Sequence, residues 1–343
     1  MTEKHVVKTD KCGNLNVFVQ GDPSKAADKA CFLTIHDMGS NYQNMVDFVN
    51  HPVMKETKDR SIFIHVSIPG QEDNAADLPN DFTFPKMQQI AEDLVSILDQ
   101  LSIKLVIALG EGAGANILAR FGMKYQERCM GLVLLHCTST TAGVMEHFKD
   151  KILNWKLSNV GMNPTAEQYL IFHKFGHVIT QGLRILLNKK KILFTFKQGI
   201  SFKINDVNKY IIEFFQRTDY SAKLATQLKV ETLLVTGSKA SHIHTVHTMH
   251  QSCNKTKTSL IKFDDVGDVL AECPEKFAQS LQLFCKGLGI LTSLPLSDNR
   301  GRTISGSSFD EEGRPRRQRT MSMEEYDTPN IRRFSFSNQQ TAN

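Results

Sequence analysis

The residues most informative about chemistry lie in a glycine-rich segment between two apolar stretches. Leu105–Leu109 is a continuous apolar run, and Ala113–Phe121 has helical spacing. Between them the chain reads G-E-G-A-G, with glycine at positions 110, 112 and 114. Serine hydrolases carry a nucleophile at the centre of such a strand–turn–helix, in the motif G-x-S-x-G, where the serine attacks an acyl group. Gly112 stands at that central position and supplies no nucleophilic atom.

The other two members of a hydrolase triad are expected later in the chain, an acid after one strand and a histidine after the last. The residues after Gly237 read Ser-Lys-Ala-Ser-His, so Ser241 lies in a stretch without an acid. Asp268, next to Gly267, stands where the histidine is expected. Serine, histidine and acid act as a unit. The degenerate positions Gly112, Ser241 and Asp268 therefore predict that the reaction is lost, and no catalytic residue is assigned.

A fourth segment carries a remnant of the same chemistry. His36-Asp37-Met38-Gly39 follows the apolar run Cys31–Ile35, at the place where hydrolases of this type keep an H-G loop for the oxyanion hole. His36 and Gly39 are identified as the remnant of that loop. A hydrogen-bonded histidine at a strand end is the simpler interpretation of His36, and a role with a ligand is the alternative.

Two further kinds of site are weighed and not assigned. A dinucleotide fingerprint requires G-x-G-x-x-G, but here the third glycine comes one place early, and the next strand ends without an acid for the ribose. Four histidines lie close together: His242, His244, His247 and His250. The last three are three residues apart, which spreads their side chains around a helix, so a solvated helix start is favoured over a metal site. No metal and no cofactor are predicted.

Two alternatives to a non-enzyme remain open. Cys137 or Ser139, just after a predicted strand, would serve as the nucleophile of a hydrolase whose reactive residue has been relocated. The vacated pocket could instead receive a small molecule or a lipid headgroup. A chemical probe of esterase activity separates the first alternative from an inactive protein, and native mass spectrometry tests the second.

Strand-length apolar runs alternate with helical patterns from about residue 30, which predicts an α/β fold with a mostly parallel central sheet and helices on both faces. Leu15–Val19 is predicted to be an antiparallel edge strand, and helices are predicted after Pro85 and Pro274. Residues 143–217 are mainly helical in character and predict a cap insertion over the carboxyl edge of the sheet. The other predicted strands are Cys31–Ile35, Ile62–Ser67, Leu105–Leu109, Leu132–His136, Thr232–Thr236 and Leu260–Phe263.

The composition is that of a soluble folded protein, with 41% hydrophobic residues and a formal net charge of +5 over 343 residues. So small an excess does not indicate nucleic-acid binding. The polar start and the lack of an apolar run of about 18 residues predict neither a signal peptide nor a transmembrane segment. Seven scattered cysteines without a C-x-x-C pair favour reduced thiols, and hence a cytoplasmic location, over disulfides or zinc.

Composition changes near Thr292, which separates a predicted α/β-hydrolase-like domain over residues 10–290 from a tail over residues 292–343. The tail is rich in Ser and Arg, lacks Lys and has few large apolar residues, so it is predicted to be disordered. Ser305 and Ser322 each end an R-x-R-x-x-S match, and Ser335 ends R-R-x-S. These three serines are predicted to be phosphorylated by basophilic kinases, each gaining about −1.5 to −2 charges.

Taken together, these motifs resemble the N-myc downstream-regulated (NDR) family. The resemblance rests on H-D-M-G at 36–39, F-I-H-V-S-I-P-G at 63–70, G-E-G-A-G-A-N-I-L-A-R at 110–120 and G-L-V-L-L at 131–135. It implies an enzymatically inactive α/β-hydrolase fold in a cytoplasmic protein of stress response, growth control, differentiation or vesicle traffic. Protein partners are expected, with peripheral membrane or phosphoinositide contact as a further class. The basic segment Leu183–Lys209 and the histidine-rich helix start depart from the family.

Overall fold

An eight-stranded sheet forms the centre of the computed structural model, which describes residues 2–72, 78–79, 81–141, 170, 173–174 and 204–294. The strands follow one another in the sheet in the order β1-β2-β4-β3-β5-β6-β7-β8. Their bounds are β1 (Thr2–Lys8), β2 (Asn14–Gln20), β3 (Ala30–Ile35), β4 (Ser61–Val66), β5 (Val106–Glu111), β6 (Cys129–Leu135), β7 (Glu231–Gly237) and β8 (Thr258–Phe263).

The sheet is mostly parallel, as the alternation of strand and helix predicts. β3 to β8 run parallel, whereas β1 pairs with β2 and β2 pairs with β4 in antiparallel fashion. The α/β-hydrolase-like fold predicted from the sequence is therefore confirmed.

The prediction that Leu15–Val19 forms an edge strand is wrong in its position. The strand exists and is antiparallel, but β1 pairs with it along its whole length and takes the edge. β1 lies before residue 10, the predicted start of the domain. Its residues are mostly exposed and polar apart from valines at 6 and 7, so it lacks the apolar run that announces a buried strand.

Nine α-helices lie in the described part of the chain. They are α1 (Tyr42–Asn50), α2 (Lys55–Asp59), α3 (Met87–Gln100), α4 (Gly112–Lys124), α5 (Ile204–Phe215), α6 (Leu224–Gln227), α7 (Ile243–Ser252), α8 (Val269–Glu272) and α9 (Pro274–Gly287). The helices predicted after Pro85 and Pro274 are α3 and α9. Of the predicted cap insertion, the structure describes residues 170, 173–174 and 204–217.

Two hydrophobic clusters cover the two faces of the sheet. Alternate residues of each central strand point to opposite faces, so Leu33 and Ile35 pack in one cluster and Phe32 in the other. α3 and α4 cover the first face, and α1 and α9 cover the second. Both faces are buried, which explains why the central strands read as continuous apolar runs.

The parallel direction of β3 to β8 brings their carboxyl ends to one edge of the sheet. In open parallel sheets this edge is where ligands bind and where catalytic loops are held. Here the edge collects the loop after β3, the turn from β5 to α4, and the segments after β6, β7 and β8. Every position discussed above as a triad member or oxyanion-loop residue belongs to one of these segments.

Candidate functional site

The turn between β5 and α4 has the shape of a nucleophile elbow. Glu111 ends the strand, Gly112 begins the helix, and Gly112 has φ of +52°, in the left-handed region that elbows require of the central residue. Gly114 lies so close to β3 that a methyl carbon placed on it would overlap the carbonyl oxygens of Ile35 and His36. The sequence pattern thus predicts the backbone of this turn correctly.

The carboxylate of Asp37 fills the space in front of the elbow. Its Oδ1 atom accepts the backbone N–H groups of Met38 and Ala113, both at 2.8 Å. In α/β-hydrolases the oxyanion hole is made by the N–H after the nucleophile together with an N–H from the loop after β3. Ala113 and Met38 hold those two positions. The donors of an oxyanion hole are therefore present, and a side chain of the same protein occupies them.

Asp37 also excludes any side chain at the nucleophile position. A methyl carbon placed on Gly112 would overlap the Cγ, Oδ1 and Oδ2 atoms of Asp37. Asp37 is 2% exposed and cannot swing into solvent without breaking both backbone hydrogen bonds. The carboxylate of Asp37 thus lies where the side chain of any other residue at position 112 would begin.

His36 is a buried histidine at a strand end, in line with its simpler interpretation. Its Nδ1 atom donates to the carbonyl of Asp37 at 2.9 Å, and its Nε2 atom accepts the N–H of Ile68 at 3.1 Å. Burial lowers the pKa of His36, which keeps the ring neutral and fits these roles. Gly39, with φ of +70°, turns the chain after the motif.

A residue of the predicted cap insertion binds the second oxygen of Asp37. His173 Nε2 donates to Asp37 Oδ2 at 2.8 Å, while His173 Nδ1 lies 2.8 Å from His242 Nε2. Ser241, in the segment where a triad acid is expected, donates its hydroxyl to the carbonyl of His173 at 2.9 Å. The segment after β7 therefore holds His173 in place and offers it no carboxylate.

The cation next to His173 joins the two remaining acids of the site. Lys174 Nζ lies 2.5 Å from Glu111 Oε1 and 3.2 Å from Asp268 Oδ2. Asp268 Oδ1 also accepts the N–H groups of Leu270 and Ala271, so it is the N-cap of α8. We call Lys174, Glu111 and Asp268 the Lys174 cluster. The single positive charge of Lys174 balances the negative charge of one of the two buried carboxylates.

The two sides of the site shift carboxyl pKa values in opposite directions. Burial alone would raise the pKa of Asp37, but the charge and hydrogen bond of His173, with Lys174 and the Ala113 N–H, hold it well below its usual range. Burial raises the pKa of Glu111 to about 7, because Lys174 only partly offsets burial and the repulsion of Asp268 and Asp37. The pKa of Lys174 is raised by the surrounding carboxylates despite its burial.

Three buried polar atoms that border these groups lack a hydrogen-bond partner within the described residues. They are Glu111 Oε2, His136 Nε2 and the hydroxyl of Tyr210. Burial lowers the pKa of His136 to about 4, and this residue has φ of +52° where β6 ends. A strained backbone with unsatisfied polar groups is commonest at present or former functional sites.

Neither candidate for a relocated nucleophile has the surroundings of a reactive residue. Cys137 is fully buried and its Sγ lies 3.7 Å from the hydroxyl of Tyr220. Burial raises the pKa of this thiol to about 12, whereas reactive cysteines have lowered values. Ser139 is also fully buried, and its hydroxyl has no partner that would act as a base among the described residues.

The clustered histidines diverge in the structure. His242 points into the site, while His244 is exposed and His247 and His250 are half-buried on α7. No group of three potential metal ligands is found where the structure describes the chain.

Several residues of the site were not identified from the sequence. The sequence pattern contains Asp37 within the H-D-M-G motif but indicates no role for it, and it does not indicate Glu111, His173 or Lys174. The signal for Asp37 was present, because an acid replaces the glycine of the H-G loop at 37. His173 and Lys174 have no local signal, since they lie 60 or more positions from their partners in the chain.

The remaining sequence predictions fall outside the residues that the structure describes. These are the tail serines Ser305, Ser322 and Ser335, and the basic segment Leu183–Lys209 as far as residue 203. Of the helices that the structure describes, none is both long and apolar enough to cross a membrane.

Comparison with protein families gives a match over most of the chain. The profile of the Ndr family matches residues 4–292. An uncharacterized protein of Caenorhabditis elegans is 46% identical over 91% of this chain and 93% of its own length. Protein NDRG1-A of Xenopus laevis is 28% identical over 90% of this chain and 76% of its own length, and Protein NDRG2 of Pongo abelii is 26% identical over 93% and 84%.

Solved structures of hydrolases share the fold at low sequence identity. A thermophilic esterase from Thermogutta terrifontis superposes with a TM-score of 0.65 at 14% identity, over 83% of this chain and 99% of its own. A hydrolase from Pseudomonas aeruginosa gives a TM-score of 0.62 at 15% identity, over 82% and 98%. Identity this low supports the fold alone and says nothing about activity.

Proposed function

The chain belongs to the Ndr family, and we propose that it is a non-enzymatic adaptor of the cytoplasm whose folded domain binds protein partners. Its place would be in signal transduction, stress response, growth and differentiation, or vesicle traffic, with a tail controlled by basophilic kinases. The seven cysteines, all free and buried, support a reducing compartment. What supports the lack of catalysis is the chemistry of the former triad.

The observation that carries the proposal is the Lys174 cluster. A hydrolase needs a free imidazole after β8 to take the proton of its nucleophile. Asp268 stands there instead, with one oxygen used as a helix N-cap and the other paired with Lys174 at 3.2 Å. A lysine in this environment holds its proton, because its pKa is raised. The groups at this position stabilise one another, and Asp268 offers the elbow no imidazole.

A fluorophosphonate probe and a panel of short- and long-chain esters test this part of the proposal. We expect no labelling and no turnover from the full-length protein, with an active α/β-hydrolase as positive control. Cys137→Ala and Ser139→Ala are prepared in parallel. Labelling of the wild type that disappears in either variant would replace the adaptor by a hydrolase with a relocated nucleophile.

The regulatory part of the proposal rests on the tail serines. Ser305 and Ser322 follow two arginines at the same offsets, and Ser335 follows a pair of arginines. Phosphorylation at these sites would give the tail the charge that arginine clusters of phosphopeptide readers recognise. Affinity capture from cells compares the wild type with Ser305→Ala/Ser322→Ala, using Ser308→Ala as the matched control. Loss of partners in the double variant alone is expected, and equal capture by all three proteins would refute the regulation.

A small-molecule receptor is a second candidate, favoured by the unpartnered Glu111, His136 and Tyr210 atoms in the described part of the site. A ligand with hydrogen-bonding groups would satisfy them. Native mass spectrometry of the protein purified from cells measures this directly. A retained mass that disappears in Tyr210→Phe supports the receptor, and an unliganded mass in both proteins argues against it.

A further inference from the structure

We propose that the oxyanion hole of the ancestral hydrolase is preserved, that Asp37 is its internal carboxylate ligand, and that the volume of this ligand is what requires glycine at position 112. This goes beyond the proposed function, because it assigns a role to a motif residue and couples two positions that the loss of catalysis alone leaves independent.

The first step is the convergence of two donors on one atom. The N–H groups of Met38 and Ala113 belong to different segments, the loop after β3 and the first turn of α4, yet both donate to Asp37 Oδ1 at 2.8 Å. Two N–H groups aimed at a single oxygen are the arrangement that stabilises an acyl oxyanion. Hydrogen bonds from neutral donors to a buried carboxylate are about twice as strong as those to a neutral acceptor.

The second step is the satisfaction of the remaining oxygen. Asp37 Oδ2 accepts from His173 at 2.8 Å, with side chains of Asp37 and His173 4% and 2% exposed. The carboxylate is therefore held from both sides without access to water. The groups that face it are His173, Lys174 and Glu111, with the hydroxyl of Tyr210 nearby and His242 behind His173. An anion held this way behaves as a bound ligand of the site.

The third step is steric. Because a Cβ atom on Gly112 would overlap the whole carboxylate of Asp37, serine at 112 and aspartate at 37 exclude each other. In a loop that carries glycine after the histidine, this space is free for the substrate. A simpler explanation is that glycine is needed only for φ of +52° at 112. The two explanations differ in whether the cost of a side chain at 112 depends on residue 37.

A double-mutant cycle distinguishes them. In the full-length wild type, Gly112→Ser should raise the unfolding equilibrium constant by at least about 100-fold, measured by urea denaturation. In the Asp37→Gly background the same substitution should raise it by about tenfold or less. Equal costs in the two backgrounds would overturn the coupling, because the backbone conformation alone would then explain Gly112.

Asp37→Asn separates volume from charge. The amide has nearly the same size as the carboxylate, so Gly112→Ser in this background should cost as much as in the wild type. A cost reduced to the level of the Asp37→Gly background would contradict the steric step. If Asp37→Gly does not fold, Asp37→Ala, which also removes the carboxylate, takes its place in the cycle.

Chemical rescue tests whether the vacated donors still bind a carboxylate. Sodium acetate should raise the unfolding temperature of Asp37→Gly by several degrees in a saturable manner, while sodium chloride and acetamide should not. Asp93→Gly is the positive control, because Asp93 is buried and its Oδ2 likewise accepts two backbone N–H groups, those of Lys11 and Cys12 at 2.8 and 2.7 Å. No rescue of Asp37→Gly by acetate would refute a preserved hole.

Discussion

Two buried carboxylates lie at the ends of neighbouring strands of this sheet, and the protein treats their charges differently. Asp37, after β3, receives two backbone N–H groups on one oxygen and His173 on the other. Glu111, which ends β5, receives Lys174 on one oxygen, while its Oε2 atom has no partner among the described residues. The pKa of Asp37 is held low, and that of Glu111 is raised to about 7.

The charged and hydrogen-bonding partners of each acid, more than its burial, therefore account for the different pKa values. Asp37 and Glu111 are 2% and 1% exposed, so loss of water is the same for both. Asp37 has the charge and hydrogen bond of His173 to itself, with further support from Lys174 and the fixed N–H of Ala113. Lys174 is shared between Glu111 and Asp268, so each carboxylate receives only part of its effect.

Acidification is expected to change the free energy of unfolding most, because it adds charge to buried imidazoles. Burial depresses the pKa of His65 to about 3 and of His136 to about 4, and it lowers the pKa values of His36 and His242. A depressed folded-state pKa gives stability that is present above about pH 6.5 and is lost as pH falls. We expect a loss on the order of 5 kcal/mol between pH 6.5 and 4.

Glu111 works in the opposite direction over part of that range. Its raised pKa gives stability that is present below its unfolded value and is lost as pH rises to about 7. One such group offsets only part of the effect of the histidines. Urea midpoints at half-unit pH steps measure the sum, with the exposed His244→Gln as control. A flat profile from pH 4 to 6.5 would show that the imidazoles are solvated.

Removal of Lys174 is expected to have the next largest effect. Lys174→Met leaves Glu111 and Asp268 buried without their cation, which should cost about 3–5 kcal/mol of unfolding free energy at pH 7. Lys257→Met is the matched control, since Lys257 pairs with Glu231 at 2.5 Å on the surface, with side chains 44% and 42% exposed. That control should cost less than about 1 kcal/mol. Similar losses in both variants would mean that the Lys174 cluster is open to water.

Asp37→Asn tests how much the negative charge of Asp37 contributes to stability. The amide oxygen accepts hydrogen bonds from the same N–H groups. The substitution removes the negative charge, which strengthens those hydrogen bonds and the one from His173. We expect a cost of about 2 kcal/mol at pH 7. Chemical denaturation measures it, and Asp59→Asn, at an exposed ion pair with Lys55, provides the baseline. A change no larger than that baseline would contradict the account of Asp37 as a bound anion.

Glu111→Gln is expected to have the smallest effect. Glutamine resembles the protonated form of Glu111, so it should change stability by less than about 1 kcal/mol at pH 6. As pH rises past 7 the wild type ionises and loses stability, whereas the variant does not. The stability of the variant relative to the wild type should therefore rise between pH 6 and 8. A relative loss of the variant over that interval would mean that Glu111 is stabilised as an anion.

Much of the fold could be predicted from the sequence because its signals are local. The apolar runs of β3 to β7 and the glycines at 112 and 114 reflect burial and close approach at those same positions. β1 could not be predicted, because an exposed antiparallel edge strand carries no apolar run. The prediction that Gly112, Ser241 and Asp268 lack the side chains of a catalytic triad rests on equally local patterns.

The contacts among the buried charged groups of the site could not be predicted, because they depend on tertiary structure. His173 and Lys174 lie in the predicted cap insertion, far along the chain from their partners, and nothing at 173–174 indicates which strand ends they reach. Asp37 was visible in its motif, but its role depends on the turn that aims Oδ1 at Ala113, 76 positions away. Spacing patterns carry no information about such pairs.

Carboxyl carbon NMR titration of Asp37 and Glu111 in the wild type is the most direct test of whether the carboxyl edge of the sheet holds a cluster of paired groups closed to water. One sample reports both side chains. The account predicts that Asp37 stays ionised below the usual range of an aspartate, while Glu111 titrates near pH 7. Ordinary values for both residues would contradict it, since they would describe an open site filled with water.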